Sequence, residues 1–493
     1  MMRLRYIIAL WFCKTLRAVM RLFGHNATFL PGRIAVYICP MFLSFIGKPA
    51  RVIAVTGTNG KTTVANLITK ALESTGVTVL NNSYGSNTAT GISCTLLADS
   101  TLFGKAKKDV AVLEADERSA MNIFPFINAE LIVVTNLFRD SIMRNAHPAY
   151  IAGILDANIP AGTKLLLNAD DLISCSIAPD NPRAYFGLER MDSDVVDCIN
   201  LINDIQICPV CNSELIYEYR RYHHIGKAVC SSCDFKSPSY NYAGSVNDCF
   251  QKENCISDVK QEGNCVSGVR RRRVGSDAEH SRDTDFLLLN VNSNNYSQTV
   301  KLPGDSVFNI YNTLTAYAAL CQFGLEEAEA ALALESAEIP QSRYNETEVG
   351  GVKVIMHMGK ERNALANSRA FDYVASRPEE KELILMMNGL GEAKVWSENI
   401  CWLYDCDFEF LNKENITRIV STGARALDYC VRLRFAGLPP EKIRYEKDEI
   451  NSPNELILKP GTSVYIFYGT DSIDLAYRVR DAVCKKAGEQ NKS

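Results

Sequence analysis

Short apolar runs alternate with helical stretches through most of this chain. Arg51–Val55 is a β-branched run closed by a glycine turn, and apolar residues at helical spacing follow from Lys61 to Ser74. Val110–Leu113, Leu131–Thr135 and Lys164–Asn168 are further short apolar runs, each predicted to be a buried strand. Strands that alternate with helices predict a parallel sheet with crossover helices. The pattern breaks near Ile205, and Cys208–Cys233 has its own cysteine spacing. Gly244–Asp285 is polar, carries the run Arg270–Arg273, and reads as a mobile surface insertion. Its cysteines, Cys249, Cys255 and Cys265, lack metal-site spacing. Phe286–Val291 returns to strand composition, and a helix rich in Ala and Leu is predicted over Ser306–Phe323. After Arg343 the alternation restarts with Val352–Met356, Glu382–Met387, Arg418–Ser421 and Ser463–Tyr468, which predicts a separate C-terminal α/β domain.

The N-terminus differs from the rest. Ten Lys or Arg residues precede the first acidic residue, Glu73. Leu4–Phe23 mixes several of them with Leu, Ile, Trp and Phe, while its longest apolar run, Tyr6–Cys13, is too short to span a bilayer. Lys14 directly follows that run, and no small-residue cleavage site comes after it, unlike a signal peptide. Two readings stay open: a basic amphipathic helix on an anionic membrane surface, or an ordinary helix packed on the next domain.

Composition bounds the remaining choices. At 493 residues the chain has room for about three domains of roughly 150 residues. Apolar residues at 47% and charged residues at 22% exclude a mainly disordered, collagen-like or coiled-coil chain. A net charge of −4 argues against coating nucleic acid through bulk charge. Seventeen cysteines, an odd number spread over a long chain, predict reduced thiols and one metal site rather than a disulfide scaffold.

Three motifs carry chemistry. Thr56-Gly57-Thr58-Asn59-Gly60-Lys61-Thr62-Thr63 follows a strand and opens a helix. Its glycines let backbone N–H groups approach phosphate, Lys61 can reach the terminal phosphates, and Thr62 can coordinate Mg²⁺. Val55 stands where the common pattern has another glycine, so the loop is a shortened variant. Leu113-Glu114-Ala115-Asp116-Glu117 ends a predicted strand, where a carboxylate suits Mg²⁺, and Glu114 is the candidate ligand. Cys208-Pro-Val-Cys211 and Cys230-Ser-Ser-Cys233, eighteen residues apart, have the spacing of a Cys₄ zinc ribbon. Four thiolates close the site, so its zinc is expected to be structural and to contribute on the order of 10 kcal/mol to folding. Arg220, Arg221 and Lys227 within it are weak pointers to nucleic acid, and no nucleic-acid partner is expected. No nucleophile–base pair for amide hydrolysis stands out, and each lone His reads as structural.

The short phosphate loop resembles that of the Mur ligases, which join amino acids or ammonia to peptidoglycan precursors through an acyl phosphate. Phe308-Asn309-Ile310-Tyr311-Asn312-Thr313-Leu314-Thr315-Ala316, preceded by Gly304, resembles a second Mur element. That likeness implies nucleotide contact by Asn309 and Asn312 and a closing role for Arg343. Leu30-Pro31-Gly32-Arg33, Thr135-Asn136-Leu137-Phe138-Arg139-Asp140, Leu167-Asn168-Ala169-Asp170-Asp171 and Tyr185-Phe186-Gly187 are similar to the MurT family in particular. So are Trp402–Glu409, Gly423–Ala426 and Arg432–Gly437. The resemblance implies a Mur-ligase-like central P-loop ATPase domain over 49–345 with the ribbon inserted at 206–237 and the mobile insertion at 244–285. A helical segment over 1–48 and a Rossmann-like α/β domain over 346–493 complete it.

For function it implies a synthetase subunit that uses ATP and Mg²⁺ to activate the α-carboxylate of D-glutamate in the lipid II stem peptide. A GatD-type glutamine amidotransferase partner would supply ammonia. Gly57, Thr58, Asn59, Gly60, Lys61, Thr62 and Thr63 would hold the nucleotide, with Lys61 and Glu114 catalytic. The expected place is the cytoplasm, at the inner face of the membrane if the N-terminal helix lies on lipid. The sequence departs from the family at Ser141-Ile142-Met143-Arg144, and at His357-Met358-Gly359-Lys360, which stands near an absent Lys-Asn-Pro. Asn399 stands where the family supplies an Asp that completes the partner's triad, and Asp405 is the nearby substitute. A Mur-type ligase acting on another carboxylate, and a non-catalytic nucleotide-binding partner, remain alternative readings.

Overall fold

The computed structural model describes residues 1–82, 86–139, 147–246, 287–293, 296–302, 304–337, 344–359, 363–387 and 400–490. They fall into two compact units: one holds the described residues up to Ala337 apart from Asn200–Ile202, and the other holds Asn200–Ile202 and the described residues from Tyr344 onward.

The first unit is built on a nine-stranded sheet. In chain order its strands are β1 (Arg51–Thr56), β2 (Val79–Asn81), β3 (Val110–Glu114), β4 (Leu131–Val134), β5 (Lys164–Asn168) and β6 (Arg183–Leu188). A separate two-stranded hairpin, β7 (Leu215–Tyr222) and β8 (Ile225–Cys230), comes before β9 (Tyr242–Ser245), β10 (Leu287–Ser293) and β11 (Ser297–Leu302). The sheet order is β11-β10-β9-β6-β5-β4-β1-β3-β2. All neighbours from β9 to β2 run parallel, and β10 and β11 add an antiparallel edge. Fully buried strands explain why the sequence shows continuous apolar runs rather than alternation: every residue of β3 and β4 is buried.

The strand order places the site. β1 lies between β3 and β4, so the chain reverses direction across the sheet there, and a crevice opens at the carboxyl ends of these three strands. Helix Lys61–Ser74 starts at that crevice.

Before the sheet come α1 (Met2–Leu22) and α2 (Leu30–Ile38). Ala9, Leu10 and Cys13 are the buried side chains of α1, so a packed inner face exists. The polar stretch expected from Gly244 onward starts within β9, where Gly244 and Ser245 pair with Val291 and Asn290 of β10. Residues 247–286, with Cys249, Cys255, Cys265 and Arg270–Arg273, lie outside the described residues.

The second unit has a six-stranded sheet of β12 (Tyr344–Val349), β13 (Val352–Met358), β14 (Lys381–Met386), β15 (Ile416–Thr422), β16 (Ile443–Glu446) and β17 (Ser463–Tyr468). Its order is β12-β13-β17-β14-β15-β16, parallel except for the β12–β13 pair. Helix Ile473–Gln490 covers one face through Ala476, Val479, Val483 and Ala487, and Phe371, Phe408 and Tyr429 fill the other. This is the open α/β architecture expected for the C-terminal part.

Candidate nucleotide and metal sites

The loop between β1 and helix Lys61–Ser74 rests on the segment after β4. Thr58 N donates to Asn136 O at 2.7 Å, and Asn59 N donates to Asn136 Oδ1 at 3.1 Å. The Thr58 hydroxyl donates to Phe138 O at 3.2 Å and accepts from Phe138 N at 2.9 Å. Thr135 Oγ1 donates to Asn59 O at 2.6 Å. Gly57 has φ +125°, and a Cβ there would meet Thr135 Oγ1 at 2.2 Å. Two motifs read separately in the sequence are thus one structure.

Gly60, at φ +86°, caps helix Lys61–Ser74. A Cβ on it would lie 2.4 Å from Asn312 Oδ1, so helix Val307–Phe323 holds the Asn312 side chain directly over the loop. Asn309 sits in the first turn of the same helix, where its N–H donates to the capping hydroxyl of Ser306 at 3.3 Å. Asn312 and the phosphate loop are therefore adjacent.

Acidic residues face this loop. Lys61 Nζ lies 2.9 Å from Glu117 Oε1 and also donates to the carbonyls of Gly57 and Thr58. Burial alone would lower the Lys61 pKa, but Glu117, Glu114 and Asp116 outweigh it and hold the ammonium above its ordinary range. Burial pushes the Glu117 carboxyl up, with Lys61 opposing the shift. Glu117 belongs to the acidic run visible in the sequence, yet only Glu114 was singled out there. The partner of Lys61 was missed because a 3₁₀ turn over Glu117–Asn122, capped by Asp116, swings Glu117 back to the loop.

Glu114 is held differently. Its Oε2 accepts from Thr62 Oγ1 at 2.7 Å and its Oε1 from Asn87 Nδ2 at 3.0 Å. Asn82 pairs with both backbone groups of Glu114, at 2.8 Å each. A hydroxyl and a carboxylate oxygen this close are a fitting pair for one hard cation, which takes oxygen ligands. Asn82 and Asn87 have no motif of their own in the sequence.

The Cys₄ cluster forms as expected. The sulfurs of Cys208, Cys211, Cys230 and Cys233 all lie within 4.8 Å of one another. Cys208–Cys233 and Cys211–Cys230 are 3.6 and 3.4 Å apart. Metal–sulfur bonds of about 2.3 Å in a tetrahedron put sulfurs about 3.8 Å apart, so the set fits a zinc ion. Backbone N–H groups of Val210 and Ser232 point at Cys208 Sγ and Cys230 Sγ, at 3.4 and 3.3 Å. Ser213 is the main group pulling the Cys211 thiol down, to about 6. Among the described residues no two cysteines are joined by a disulfide.

The hairpin tip is polar and buried. Arg221 donates to Asp194 through Nε at 3.1 Å and Nη2 at 2.7 Å, and meets Asp170 Oδ2 at 3.4 Å. Tyr311 OH donates to the same Asp170 oxygen at 2.6 Å. Arg221 is therefore a core residue, not an exposed cation for nucleic acid, and the Arg220 guanidinium lies over the Tyr217 ring, 3.7 Å from its centre. His224 Nε2 faces Asp171 Oδ1 at 3.1 Å, a structural place for a histidine.

Arg343, Asn399 and Ser141–Arg144 lie outside the described residues, as does Lys360. Asp405 ends the short helix Trp402–Asp405 in the second unit and is half-buried. Arg432 holds that turn through Leu403 O at 2.9 Å and Cys406 O at 2.8 Å.

Residues 55–145 match the Mur ligase middle domain, and residues 361–470 match the MurT ligase C-terminal domain. The lipid II isoglutaminyl synthase (glutamine-hydrolyzing) subunit MurT of Staphylococcus aureus is 28% identical over 437 residues, covering 88% of each chain. The chain is similar to MurT over nearly its whole length. The subunit of the same name from Streptococcus pneumoniae is 27% identical over 453 residues, covering 90% of this chain and 89% of the relative. Solved structures agree on the fold. A pseudomurein peptide ligase type C from Methanothermus fervidus superposes with a TM-score of 0.59 at 18% identity, over 90% of this chain and 80% of that one. MurF ligase from Thermotoga maritima, solved in complex with ADP, gives 0.55 at 13% identity, over 93% and 84%. The Mur-ligase-like fold expected from the sequence is thus found.

Proposed function

We propose that this chain is the synthetase subunit of an ATP-dependent, glutamine-coupled amide ligase acting on lipid II. The substrate is the α-carboxylate of D-glutamate in the stem peptide, and the product is D-isoglutamine. The observation that carries the proposal is the pairing of Lys61 with Glu117 and of Thr62 with Glu114 at the start of one helix. That arrangement suits phosphoryl transfer, and the MurT likeness over nearly the whole chain supports the acceptor and the nitrogen source.

A carboxylate does not react with ammonia unaided. The substrate carboxylate oxygen attacks the terminal phosphorus of ATP, and ADP leaves. Ammonia then attacks the acyl carbon, phosphate leaves, and the amide remains. Lys61 offsets charge on the transferring phosphoryl group, while backbone N–H groups of residues 57–63 hold the phosphates. Thr62 and Glu114 would hold Mg²⁺, which when bound neutralises phosphate charge. Asn309, Asn312 and Arg343 complete the nucleotide contacts in this reading. The Cys₄ set holds a structural zinc. The domains are assigned as 1–48, 49–345 and 346–493. A GatD-type glutaminase supplies ammonia, with Asn399 or Asp405 facing its triad.

The test is a mass assay for amidation. The chain is incubated with ATP, Mg²⁺, lipid II and an ammonium salt, first alone and then with the glutaminase and glutamine in place of ammonium. Conversion of one stem-peptide carboxyl to an amide supports the proposal. Product formed only with an added amino acid would assign the chain to the amino-acid-adding ligases instead.

A further inference from the structure

Helix α1 is apolar on two opposite faces. Its inner face packs through Ala9, Leu10 and Cys13, and Lys14 Nζ donates inward to Leu97 O at 3.1 Å and Ser100 O at 2.7 Å. On the other side Leu4, Ile7, Ile8, Trp11, Phe12 and Leu22 are between 45% and 85% exposed. At 100° per residue these six share one continuous face, opposite the buried trio. Exposed Arg3 and Arg21 border it on one flank and Arg5 on the other. The inner side is closed by a loop: a Cβ on Gly104 would meet Tyr6 OH at 2.1 Å and Leu10 Cδ2 at 3.3 Å.

A monomer rarely leaves so large a contiguous apolar patch in water. We infer that the exposed face of α1 is a docking face for an anionic lipid bilayer, with the helix lying in the plane of the interface. The apolar side chains would enter the acyl boundary, Trp11 would sit at headgroup depth, and the flanking guanidinium groups would reach lipid phosphates. Charge decides against a second copy: no acidic residue precedes Glu73, so two such helices brought face to face would oppose arginine with arginine. The helix does not cross the membrane, since no described helix is long and apolar enough to do so. This inference is independent of the reaction proposed above, and its failure would leave that reaction untouched.

Vesicle flotation of the full chain tests it. Vesicles of equal parts phosphatidylglycerol and phosphatidylcholine are expected to carry the protein, and pure phosphatidylcholine to carry at least tenfold less. Each basic residue near an anionic surface contributes about a fivefold change in partition, so Arg3→Glu with Arg5→Glu should lower binding more than tenfold. Ile7→Glu with Trp11→Glu should do the same, with the melting temperature and ATP binding unchanged because both side chains are exposed. Absence of wild-type flotation at low salt overturns the inference without recourse to any variant. So does equal flotation on both vesicles. A concentration-dependent dimer abolished by the Ile7→Glu, Trp11→Glu pair would assign the face to a second copy and also overturn it.

Discussion

Asp171 Oδ2 accepts the backbone N–H of Leu137 at 2.6 Å, which ties the end of β5 to the segment that carries the phosphate loop. The other oxygen of Asp171 faces His224 at the tip of the β7–β8 hairpin and accepts from Ile173 N at 2.9 Å. Phe138, next to Leu137, packs on His224 with ring centres 4.4 Å apart and bonds to Thr58. A continuous set of contacts therefore runs from the Cys₄ hairpin to the nucleotide loop. Asp171→Ala leaves several buried donors without an acceptor, at about 1–3 kcal/mol for such a group. The expected outcome is a lower unfolding midpoint in denaturant and weaker ATP binding by calorimetry. Unchanged ATP affinity in a folded variant would remove Asp171 from the support of the loop.

Zinc removal should act through the same contacts. Chelation, or Cys208→Ser, is expected to lower bound zinc, loosen β7–β8 and weaken ATP binding. Metal analysis with parallel nucleotide titrations checks this, and a zinc content equal to wild type in Cys208→Ser would sink the ribbon assignment.

Lys61→Ala should lower amidation by at least about a hundredfold, the scale lost when one charge-stabilising group is removed from a transition state. It also leaves Glu117 buried without its cation. Burial already pushes that carboxyl up, so Glu117 is expected to take a proton, and pairing Lys61→Ala with Glu117→Gln should recover stability but not turnover. Thermal melts and single-turnover assays on the two variants separate the effects.

A pH dependence is expected from Lys48. Burial lowers its ammonium from the ordinary 10.5 to about 8. Between these values the unfolded chain holds more protons than the folded one, so this group's contribution makes stability rise with pH across that window. Comparing melting temperatures of wild type and Lys48→Met from pH 7 to pH 10 isolates it: the variant should lack that increment. The same slope in both proteins would exclude Lys48 as its source.

Asp405→Ala is expected to reduce glutamine-dependent amidation while leaving ammonia-dependent amidation unchanged, if this carboxylate faces the partner's histidine. Asn399→Asp should preserve or raise the glutamine-dependent rate. The ratio of the two rates is the measurement, and an equal fall in both for Asp405→Ala would place Asp405 in the synthetase reaction instead.

Much of this architecture is legible in local pattern. Strand Lys164–Asn168 and helix Lys61–Ser74 have the bounds expected, because a buried parallel strand and its crossover helix each write their period into a few consecutive residues. The Cys₄ set is equally local, since each CxxC pair fixes two ligands on one turn. Weakly patterned elements were not legible: β2 has three residues, and edge strand β11 reads Ser-Gln-Thr-Val-Lys-Leu. What only the tertiary structure decided is which distant groups meet. Glu117 reaches Lys61 through a turn, Asn312 reaches Gly60 across some 250 residues of chain, and Arg221 leaves the surface for Asp170 and Asp194. The N-terminal helix makes the same point: its composition left packing and lipid contact as rivals, and the fold turns one apolar face inward and leaves the other exposed. Periodicity records that a face is apolar, whereas the neighbour it packs against is set by strand order and loop geometry.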